Sequence, residues 1–206
     1  MKVEKIGLLG FGTVGSGVYH ILTKNQASIE KKTGVSLQIE KALVKEPELF
    51  ADKIPGITFT SDVDYILNDE EISIIVEVLG GVDFAFNCVK KALESGKHVV
   101  TANKDLLAKH GVELSQIARE NNVYLYYEAS VGGGIPVLRP LVEHVASNEV
   151  ESIYGIVNGT TNFILTSMSQ QGLSYEEVLK TAQEKGFAEA DPTSDVEGYD
   201  ATYKLI

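Results

Sequence analysis

The sequence contains one cysteine among its 206 residues, so it can form no internal disulfide bond, and no metal-ligand spacing surrounds that residue, Cys88. Positive charge is also scarce, with 18 Lys and Arg against 29 Asp and Glu and a net charge of -11. This balance argues against binding to nucleic acid or to an anionic membrane. No stretch approaches the roughly 18 apolar residues of a membrane span, and the N-terminus lacks a signal-peptide pattern. We therefore expect a soluble cytoplasmic protein.

Short apolar runs alternate with helical patterns in the first two thirds of the chain. Each run is bounded by turn residues and predicts a buried strand, at 5–10, 37–44, 72–79, 98–101 and 123–127. The helical patterns between them lie at 13–34, 62–67, 84–94 and 105–121. The last helix is either continuous or interrupted at Gly111. The segment 47–57 is expected to be a loop. The alternation predicts an α/β fold, a Rossmann-type doubly wound parallel sheet, within a domain at 1–130.

The pattern changes after Glu128. A glycine-rich loop at 129–136 precedes a predicted helix at 136–146 and a predicted strand at 149–157 that alternates as if one face were covered. A capping-box pattern predicts a helix at 174–185, and 186–199 is expected to be an acidic loop. We therefore expect 131–206 to be the start of a second, incomplete α+β domain.

A strict G-x-G-x-x-G pattern joins the first predicted strand to the first predicted helix. Its first glycine permits a tight turn, its second lets the backbone approach a pyrophosphate, and its third lets the helix pack against the strand. The helix N-terminus then offers N–H groups to the phosphates. The pattern therefore predicts a site for NAD or NADP at Gly10, Phe11, Gly12, Thr13, Val14 and Gly15.

Further cofactor contacts are expected where the predicted strands end. Lys45 follows the second strand and would contact a 2′-phosphate, but Glu46 beside it leaves NAD open, and a solvated charged turn is an equal alternative. Gly80 follows the strand at 72–79, and Thr101 and Lys104 follow the strand at 98–101. Lys104 would lie at the nicotinamide end of the crevice, or it is simply a surface lysine at a helix start.

Four segments carry a resemblance to a known family. The segment 99–104 (VVTANK), the linker 127–136 (YEASVGGGIP), the segment 158–162 (NGTTN) and the acidic block 186–200 (GFAEADPTSDVEGYD) with Lys204 resemble homoserine dehydrogenases. The resemblance spans essentially the whole chain, and the acidic block is its most specific part. Phe187 departs from the family pattern, in which a tyrosine is common.

The resemblance implies NAD(P)-dependent interconversion of L-homoserine and L-aspartate 4-semialdehyde, in threonine, methionine and isoleucine biosynthesis. It implies that Lys204 donates and accepts the proton, with Lys104 and Asp200 beside the reacting atoms. It also implies substrate contacts and a monovalent cation, usually sodium, bound by backbone carbonyls. The implied substrate residues are Gly159, Thr160, Glu189, Asp195, Asp200 and Lys204, and the implied cation residues are Glu128, Val131, Gly133 and Ile135. The family members are longer, and a homodimer is expected for the full-length enzyme.

The residues themselves leave simpler readings open. Asp200 and Lys204 are four residues apart, which fits an ordinary surface ion pair on a helix as well as an oriented proton donor. The acidic residues at 189–200 suit a substrate that carries an ammonium group, but they equally suit a solvated loop. The glycines at 132–134 suit carbonyl ligands for a hard cation, or a plain hinge.

Two rival functions are weighed against this one. An aldehyde-oxidising dehydrogenase needs a nucleophilic cysteine, but Cys88 lies in a predicted helix where core packing is expected. A cofactor-binding module without catalysis, such as a redox-sensing regulator, would need neither lysine. Dinucleotide titration followed by a homoserine assay distinguishes the two remaining hypotheses.

Overall fold

The computed structural model describes residues 1–50, 53–145 and 147–206, which form two units. Unit 1 comprises Met1–Gly134, and unit 2 comprises Ile135–Ile206. Each unit contains its own cluster of buried apolar side chains. Within the described ranges, no helix combines the length and the hydropathy that crossing a bilayer requires.

The described part of unit 1 contains a six-stranded parallel sheet in the order β3-β2-β1-β4-β5-β6. The strands are β1 (Lys2–Leu9), β2 (Val35–Leu43), β3 (Thr58–Thr60), β4 (Ile72–Glu77), β5 (His98–Thr101) and β6 (Leu125–Tyr126). From β1 the chain builds the sheet outward to β3, and then returns to add β4 on the other side of β1. The predicted doubly wound α/β fold is confirmed. The carboxyl ends of β1 and β4 meet at a topological switch point, where such sheets bind ligands.

Helices connect these strands. They are α1 (Thr13–Lys24), α2 (Gln26–Thr33), α3 (Asp64–Leu67), α4 (Asp83–Glu94) and α5 (Lys104–Glu120). Gly34 ends α2 in a left-handed conformation, with a φ of 73°. The chain is helical through Gly111, so the break left open there does not occur. Buried Leu106 and Leu114 anchor α5 on both sides of that glycine.

The described residues of the predicted loop at 47–57 include a 3-10 turn, Pro47–Leu49. Residues 51 and 52 of that loop lie outside the described residues. The short strand β3 follows the loop and pairs with the end of β2, from Lys41 to Leu43.

Both faces of the sheet are covered. Leu8 and Leu9 are neighbours in β1, so their side chains point to opposite faces, and each is fully buried. Leu9 belongs to the larger cluster, which also contains Leu93 of α4 and Leu106 of α5. Leu8 belongs to a second cluster with Phe11. Burial on both faces explains why the strands are continuous apolar runs in the sequence.

The regular secondary structure in the described residues of unit 2 is helical. Its α-helices are α6 (Gly159–Gln171), α7 (Tyr175–Glu184), α8 (Thr193–Val196) and α9 (Tyr199–Leu205). Ser174 and Glu177 make the predicted capping box at the start of α7. The sequence patterns did not indicate α6, and α8 interrupts the segment that was predicted to be a loop. The predicted helix at 136–146 is a π-helical turn at Pro140–His144, and its last residue, 146, lies outside the described residues.

The predicted strand at 149–157 is wrong, because that segment has no regular secondary structure. Its apolar side chains are exposed, among them Ile153, Tyr154 and Ile156. Alternation indicates which residues share a face, but a strand also needs a neighbour for its backbone hydrogen bonds. The described residues of unit 2 include no strand that pairs with this segment.

Candidate functional site

The glycine turn after β1 has the geometry that a dinucleotide fingerprint requires. Gly10 has a φ of 104°, and a Cβ atom there would lie 2.8 Å from the carbonyl oxygen of Val78. A Cβ atom on Gly15 would lie 2.1 Å from the carbonyl oxygen of Gly10, so α1 packs this closely only because residue 15 is glycine. A Cβ atom on Gly12 would meet no described atom within 4 Å. That open space beside the N-terminus of α1 suits a pyrophosphate.

Of the three residues between these glycines, one has a buried side chain and two have exposed side chains. The ring of Phe11 is buried and packs against the rings of Phe59 and Phe50, at centroid distances of 5.1 and 5.5 Å. Phe11 therefore contributes to a cofactor site through its backbone, while its side chain anchors the turn in the core. Thr13 and Val14 are exposed in the first turn of α1. Their N–H groups belong to the set that an α-helix leaves without intrahelical acceptors.

Lys45 and Glu46 follow the end of β2 and are both exposed. The N–H of Gly10 donates to the carbonyl oxygen of Leu43, at 3.2 Å, so the end of β2 is tied to the glycine turn. Both side chains are therefore available beside that turn, and the choice between NAD and NADP stays open.

The loops after β4 and β5 form the other side of the switch point. Gly80 and Gly81 have left-handed φ angles of 77° and 71°. Thr101 is 1% exposed, and its hydroxyl donates to the carboxylate of Glu77 at 2.5 Å. The side chain of Thr101 is therefore directed into the sheet, and a cofactor contact of this residue through its backbone stays a prediction. Sequence reasoning missed Glu77, although a single acid in an otherwise apolar run (ISIIVE) was a usable signal.

Lys104 is the first residue of α5. Its side chain is 29% exposed, and its Nζ lies 3.5 Å from a carboxylate oxygen of Asp105. This partly exposed position lies at the carboxyl edge of the sheet, and the predicted cofactor contact of Lys104 stays a prediction.

A polar cluster joins three separate segments of unit 2. The side-chain amide of Asn158 donates one hydrogen bond to Asp195 and one to Asp200, both at 2.7 Å. Lys204 donates to Asp200 and, at 2.6 Å, to the carbonyl oxygen of Val157. Asp200 and Asn158 are 8% and 7% exposed. The structure thus brings together three of the predicted site residues and adds Asn158, which the sequence did not single out within its motif.

Other predicted substrate residues lie around this cluster. Gly159 is the first residue of α6, and the side-chain oxygen of Asn158 caps that helix by accepting from the N–H of Thr161, at 2.8 Å. Thr160 donates through its hydroxyl to the carbonyl oxygen of Phe187, at 2.7 Å. Glu189 is exposed.

Two further acids of the expected pocket, Asp191 and Glu197, lie outside the polar cluster. Asp191 accepts hydrogen bonds from the hydroxyl and the N–H of Thr193, which lower the pKa of Asp191 and fix a local turn. Glu197 is exposed. The acidic block therefore contains two acids of the polar cluster, Asp195 and Asp200, and two exposed acids, Asp191 and Glu197. A substrate-binding role for the block stays a prediction.

The glycine linker leaves unit 1 after a 3-10 turn at Glu128–Ser130. Gly132 and Gly133 have φ angles of 78° and 60°, and Ile135 begins unit 2. Among the described residues, no group of three or more His, Cys, Asp or Glu side chains is arranged to hold a metal. A cation bound by backbone carbonyls of Glu128, Val131, Gly133 and Ile135 stays a prediction.

The single thiol is unsuited to nucleophilic chemistry. Cys88 is 3% exposed within α4 and packs in the core of unit 1, as predicted. Burial raises the pKa of the Cys88 thiol to about 11, and the nearby charges of Glu77 and Asp64 act in the same direction. This removes the nucleophile that an aldehyde-oxidising dehydrogenase would need.

Two family models and several curated relatives of this chain carry the same description. Residues 10–128 match the family model described as homoserine dehydrogenase, NAD binding domain, and residues 136–206 match the model described as homoserine dehydrogenase. A homoserine dehydrogenase of Bacillus subtilis is 50% identical over 206 residues, and one of Lactococcus lactis is 44% identical over 203 residues. These alignments cover 100% and 97% of this chain but 48% and 47% of the relatives. The chain therefore spans about half the length of these curated relatives.

Solved structures agree. The crystal structure of a homoserine dehydrogenase from Thiobacillus denitrificans has a TM-score of 0.91 and 43% identity, covering 100% of this chain and 48% of that one. A hyperthermophilic archaeal homoserine dehydrogenase in complex with NADPH has a TM-score of 0.83 and 28% identity, covering 98% of this chain and 67% of that one. Since a family model matches more than half of the chain, and high-coverage relatives carry the same name, this chain belongs to the homoserine dehydrogenase family.

Proposed function

We propose that this chain supplies the dinucleotide site and part of the substrate site of an NAD(P)-dependent homoserine dehydrogenase, which interconverts L-homoserine and L-aspartate 4-semialdehyde. The observation that carries the proposal is the cluster of Lys204, Asp200, Asn158 and Asp195, in a chain whose other unit has a fingerprint glycine turn. A cofactor-binding module without catalysis would have no need of a lysine held between a carboxylate and a carbonyl.

The reaction needs a proton at one oxygen atom as well as a hydride. When bound, the dinucleotide would supply the hydride for reduction or accept it in oxidation. Lys204 supplies the proton to the aldehyde oxygen during reduction and takes it back from the hydroxyl during oxidation. Asp200 and the carbonyl of Val157 hold the ammonium group, so the donor is oriented before substrate arrives. We assign Lys104, at the carboxyl edge of β5, to the same oxygen or to the nicotinamide end of the cofactor.

The substrate is an amino acid with an ammonium group, which suits a site rich in carboxylates. We assign Glu189, Asp195 and Asp200 to that group, and Gly159 and Thr160 to positions beside it. The Asn158 amide, which carries no charge of its own, orients Asp195 and Asp200 by donating a hydrogen bond to each, and this supports the assignment.

We assign the backbone of Gly10, Gly12 and Gly15, with the N–H groups of α1, to the pyrophosphate. Exposed Lys45 suits a 2′-phosphate, and exposed Glu46 suits the ribose hydroxyls of NAD, so both cofactors are expected to bind.

We also propose a sodium ion on the carbonyls of Glu128, Val131, Gly133 and Ile135, because the intervening glycines leave those carbonyls unobstructed. The complete enzyme is proposed to be a homodimer.

Substitution of Lys204 in the complete enzyme tests this function. Lys204→Ala should reduce semialdehyde-dependent oxidation of NADPH, followed by absorbance, at least 100-fold, since loss of a general acid costs that much or more. NADPH binding, followed by fluorescence, should persist. Lys180→Ala removes an exposed lysine of α7 and serves as the control. An unchanged kcat in Lys204→Ala would remove Lys204 from the mechanism, and dinucleotide binding without turnover in the unmodified enzyme would favour the non-catalytic module.

A further inference from the structure

A carboxylate is buried between the two strands that end at the cofactor edge of the sheet. Glu77 is the last residue of β4 and is paired with Thr101, the last residue of β5. Glu77 is 0% exposed and Thr101 is 1% exposed. A buried carboxylate loses its hydration and is tolerated only where hydrogen-bond donors replace the lost water.

The two oxygens of Glu77 accept from the ends of both strands. The N–H of Leu79 donates to one oxygen at 2.8 Å, and the hydroxyl of Thr101 donates to the other at 2.5 Å. Leu79 belongs to the loop that follows β4, and Thr101 is the residue of β5 from which the connection to α5 starts. A single charged group therefore holds two loops that are far apart in sequence.

Asn103 closes the same network from the other side. Its N–H donates to the hydroxyl oxygen of Thr101 at 3.0 Å, and its side-chain amide donates to the carbonyl oxygen of Gly81 at 2.6 Å. Its side-chain oxygen accepts from the N–H of Leu106 at 3.1 Å and so caps α5. The left-handed glycine loop and the start of α5, where Lys104 lies, are thereby fixed relative to each other.

The opposite end of the same strand pair offers a comparison. Lys97 precedes β5, is 5% exposed, and donates to the carbonyl oxygens of Asp69 and Ile72 at 2.5 and 2.7 Å. Lys97 thus secures the amino end of the β4–β5 pair as Glu77 secures its carboxyl end. Ligands of parallel sheets bind at the carboxyl end, so the two buried charges should differ in their effect on binding even where they are alike in their effect on stability.

We propose that Glu77 is a positioning residue of the dinucleotide site. Its carboxylate, acting through Leu79, Thr101 and Asn103, holds the loops 78–81 and 102–104 in the arrangement that receives the nicotinamide half of the cofactor. The inference rests on the proposed function, because it assumes that this edge binds NAD or NADP. Organising the loops before binding removes an ordering cost from the binding step, and affinity is higher for that reason.

The test measures NADPH and NADH affinity by fluorescence titration of the chain, together with the melting temperature by circular dichroism. Glu77→Gln keeps the size of the side chain but presents an amide to Thr101, so the dissociation constants should rise about tenfold. Thr101→Val should raise the dissociation constants to the same extent. Thr101→Ser, which keeps the hydroxyl group, should bind both dinucleotides with wild-type affinity. The Thr101 pair carries the test if Glu77→Gln does not fold.

Lys97→Met is the control, because it removes a buried charge from the same strand pair and should lower the melting temperature without changing either dissociation constant. The proposal is overturned if affinity is unchanged in Glu77→Gln and Thr101→Val, if Thr101→Ser fails to restore it, or if Lys97→Met weakens binding equally. If the unmodified chain binds neither dinucleotide, the proposed function fails as well. If the unmodified chain binds a dinucleotide and Glu77→Gln and Thr101→Val bind it with the same affinity, only the positioning role of Glu77 is overturned and the proposed function stands.

Discussion

The ammonium group of Lys204 donates a hydrogen bond to the carboxylate of Asp200, one turn earlier in α9. Their side chains are 20% and 12% exposed, so this is not the solvated surface pair that four-residue spacing usually produces. The carbonyl of Val157 binds the same ammonium group from a distant segment. A lysine held from two sides retains one orientation, which a proton donor to a single oxygen requires.

Asp200→Asn in the complete enzyme should lower kcat about 100-fold while dinucleotide affinity stays at the wild-type value. The substitution keeps the shape of the side chain but removes the charge that orients the Lys204 ammonium, so the loss falls on the proton-transfer step. Steady-state kinetics with both substrates and a separate NADPH titration measure the two effects. Glu197→Gln, which neutralises an exposed acid of the same block, should be silent. Equal kinetics for Asp200→Asn and wild type would contradict an oriented donor.

Asn158 has two structural tasks, and two substitutions separate them. Asn158→Ser retains an oxygen that can cap α6 but loses the amide that bridges Asp195 and Asp200. Asn158→Ala loses both. We expect kcat to fall at least tenfold in both variants, and stability to fall by about 1 kcal/mol more in the alanine variant. Thermal unfolding and steady-state kinetics on the same samples provide the comparison. A serine variant with normal turnover would show that the bridge has no functional role.

Three glycine-to-alanine substitutions should separate folding from cofactor binding. Gly15→Ala places a Cβ atom 2.1 Å from a backbone oxygen and should reduce both stability and NADPH affinity. Gly12→Ala meets no described atom within 4 Å, so it should fold normally and yet bind the pyrophosphate at least tenfold more weakly. Gly17→Ala is the matched control in α1, where the added methyl group is unobstructed and helix propensity predicts a gain of up to about 1 kcal/mol.

Melting temperature and NADPH dissociation constant, measured for all three glycine variants, check this pattern. Unchanged affinity in Gly12→Ala would mean that the open space beside α1 does not hold the pyrophosphate. Loss of affinity in Gly17→Ala would mean that the helix as a whole, rather than the turn, is sensitive to substitution.

Local signals in the sequence were enough to predict much of unit 1. Buried strands such as Ile72–Glu77 are continuous apolar runs, and the fingerprint at Gly10, Gly12 and Gly15 depends on conformational requirements of single residues. In unit 2, the capping box formed by Ser174 and Glu177 is equally local. Each of these features depends on neighbours within a few positions, which is the range that a pattern in one sequence can report.

Contacts between distant segments were not predictable in the same way. Asn158 meets Asp200 across 42 positions, and nothing in the local sequence says which acid of the block it would choose. The segment 149–157 alternates like a strand, but alternation does not supply a neighbouring strand. Glu77 was visible as an acid in an apolar run, yet its partner Thr101 lies 24 positions away.

A partly buried ion pair in unit 1 predicts a specific pH dependence of stability. Lys41 lies 2.7 Å from Asp69, donates to the carbonyl oxygen of Tyr65 at 3.0 Å, and is 8% exposed. The hydrogen bond from Lys41 and the N–H of Glu71 lower the pKa of the Asp69 carboxyl. Burial by itself lowers the pKa of Lys41, but the hydrogen bond and charge of Asp69 outweigh it and raise that pKa.

Asp69→Asn should therefore reduce the free energy of unfolding by about 2 kcal/mol at pH 7, where wild-type Asp69 is charged in both states. A carboxyl whose pKa is lowered by folding stabilises the native state above its unfolded pKa of about 3.9, and that contribution disappears as pH falls through the lower folded value. The difference between wild type and Asp69→Asn should accordingly shrink below about pH 4. Urea unfolding of both proteins between about pH 3 and pH 7 measures this difference in the free energy of unfolding, because the range includes the carboxyl pKa. Glu70→Gln, which neutralises an exposed neighbouring acid, is the control. A difference that stays constant down to the lowest pH would show that Asp69 stabilises unit 1 by packing rather than by its charge.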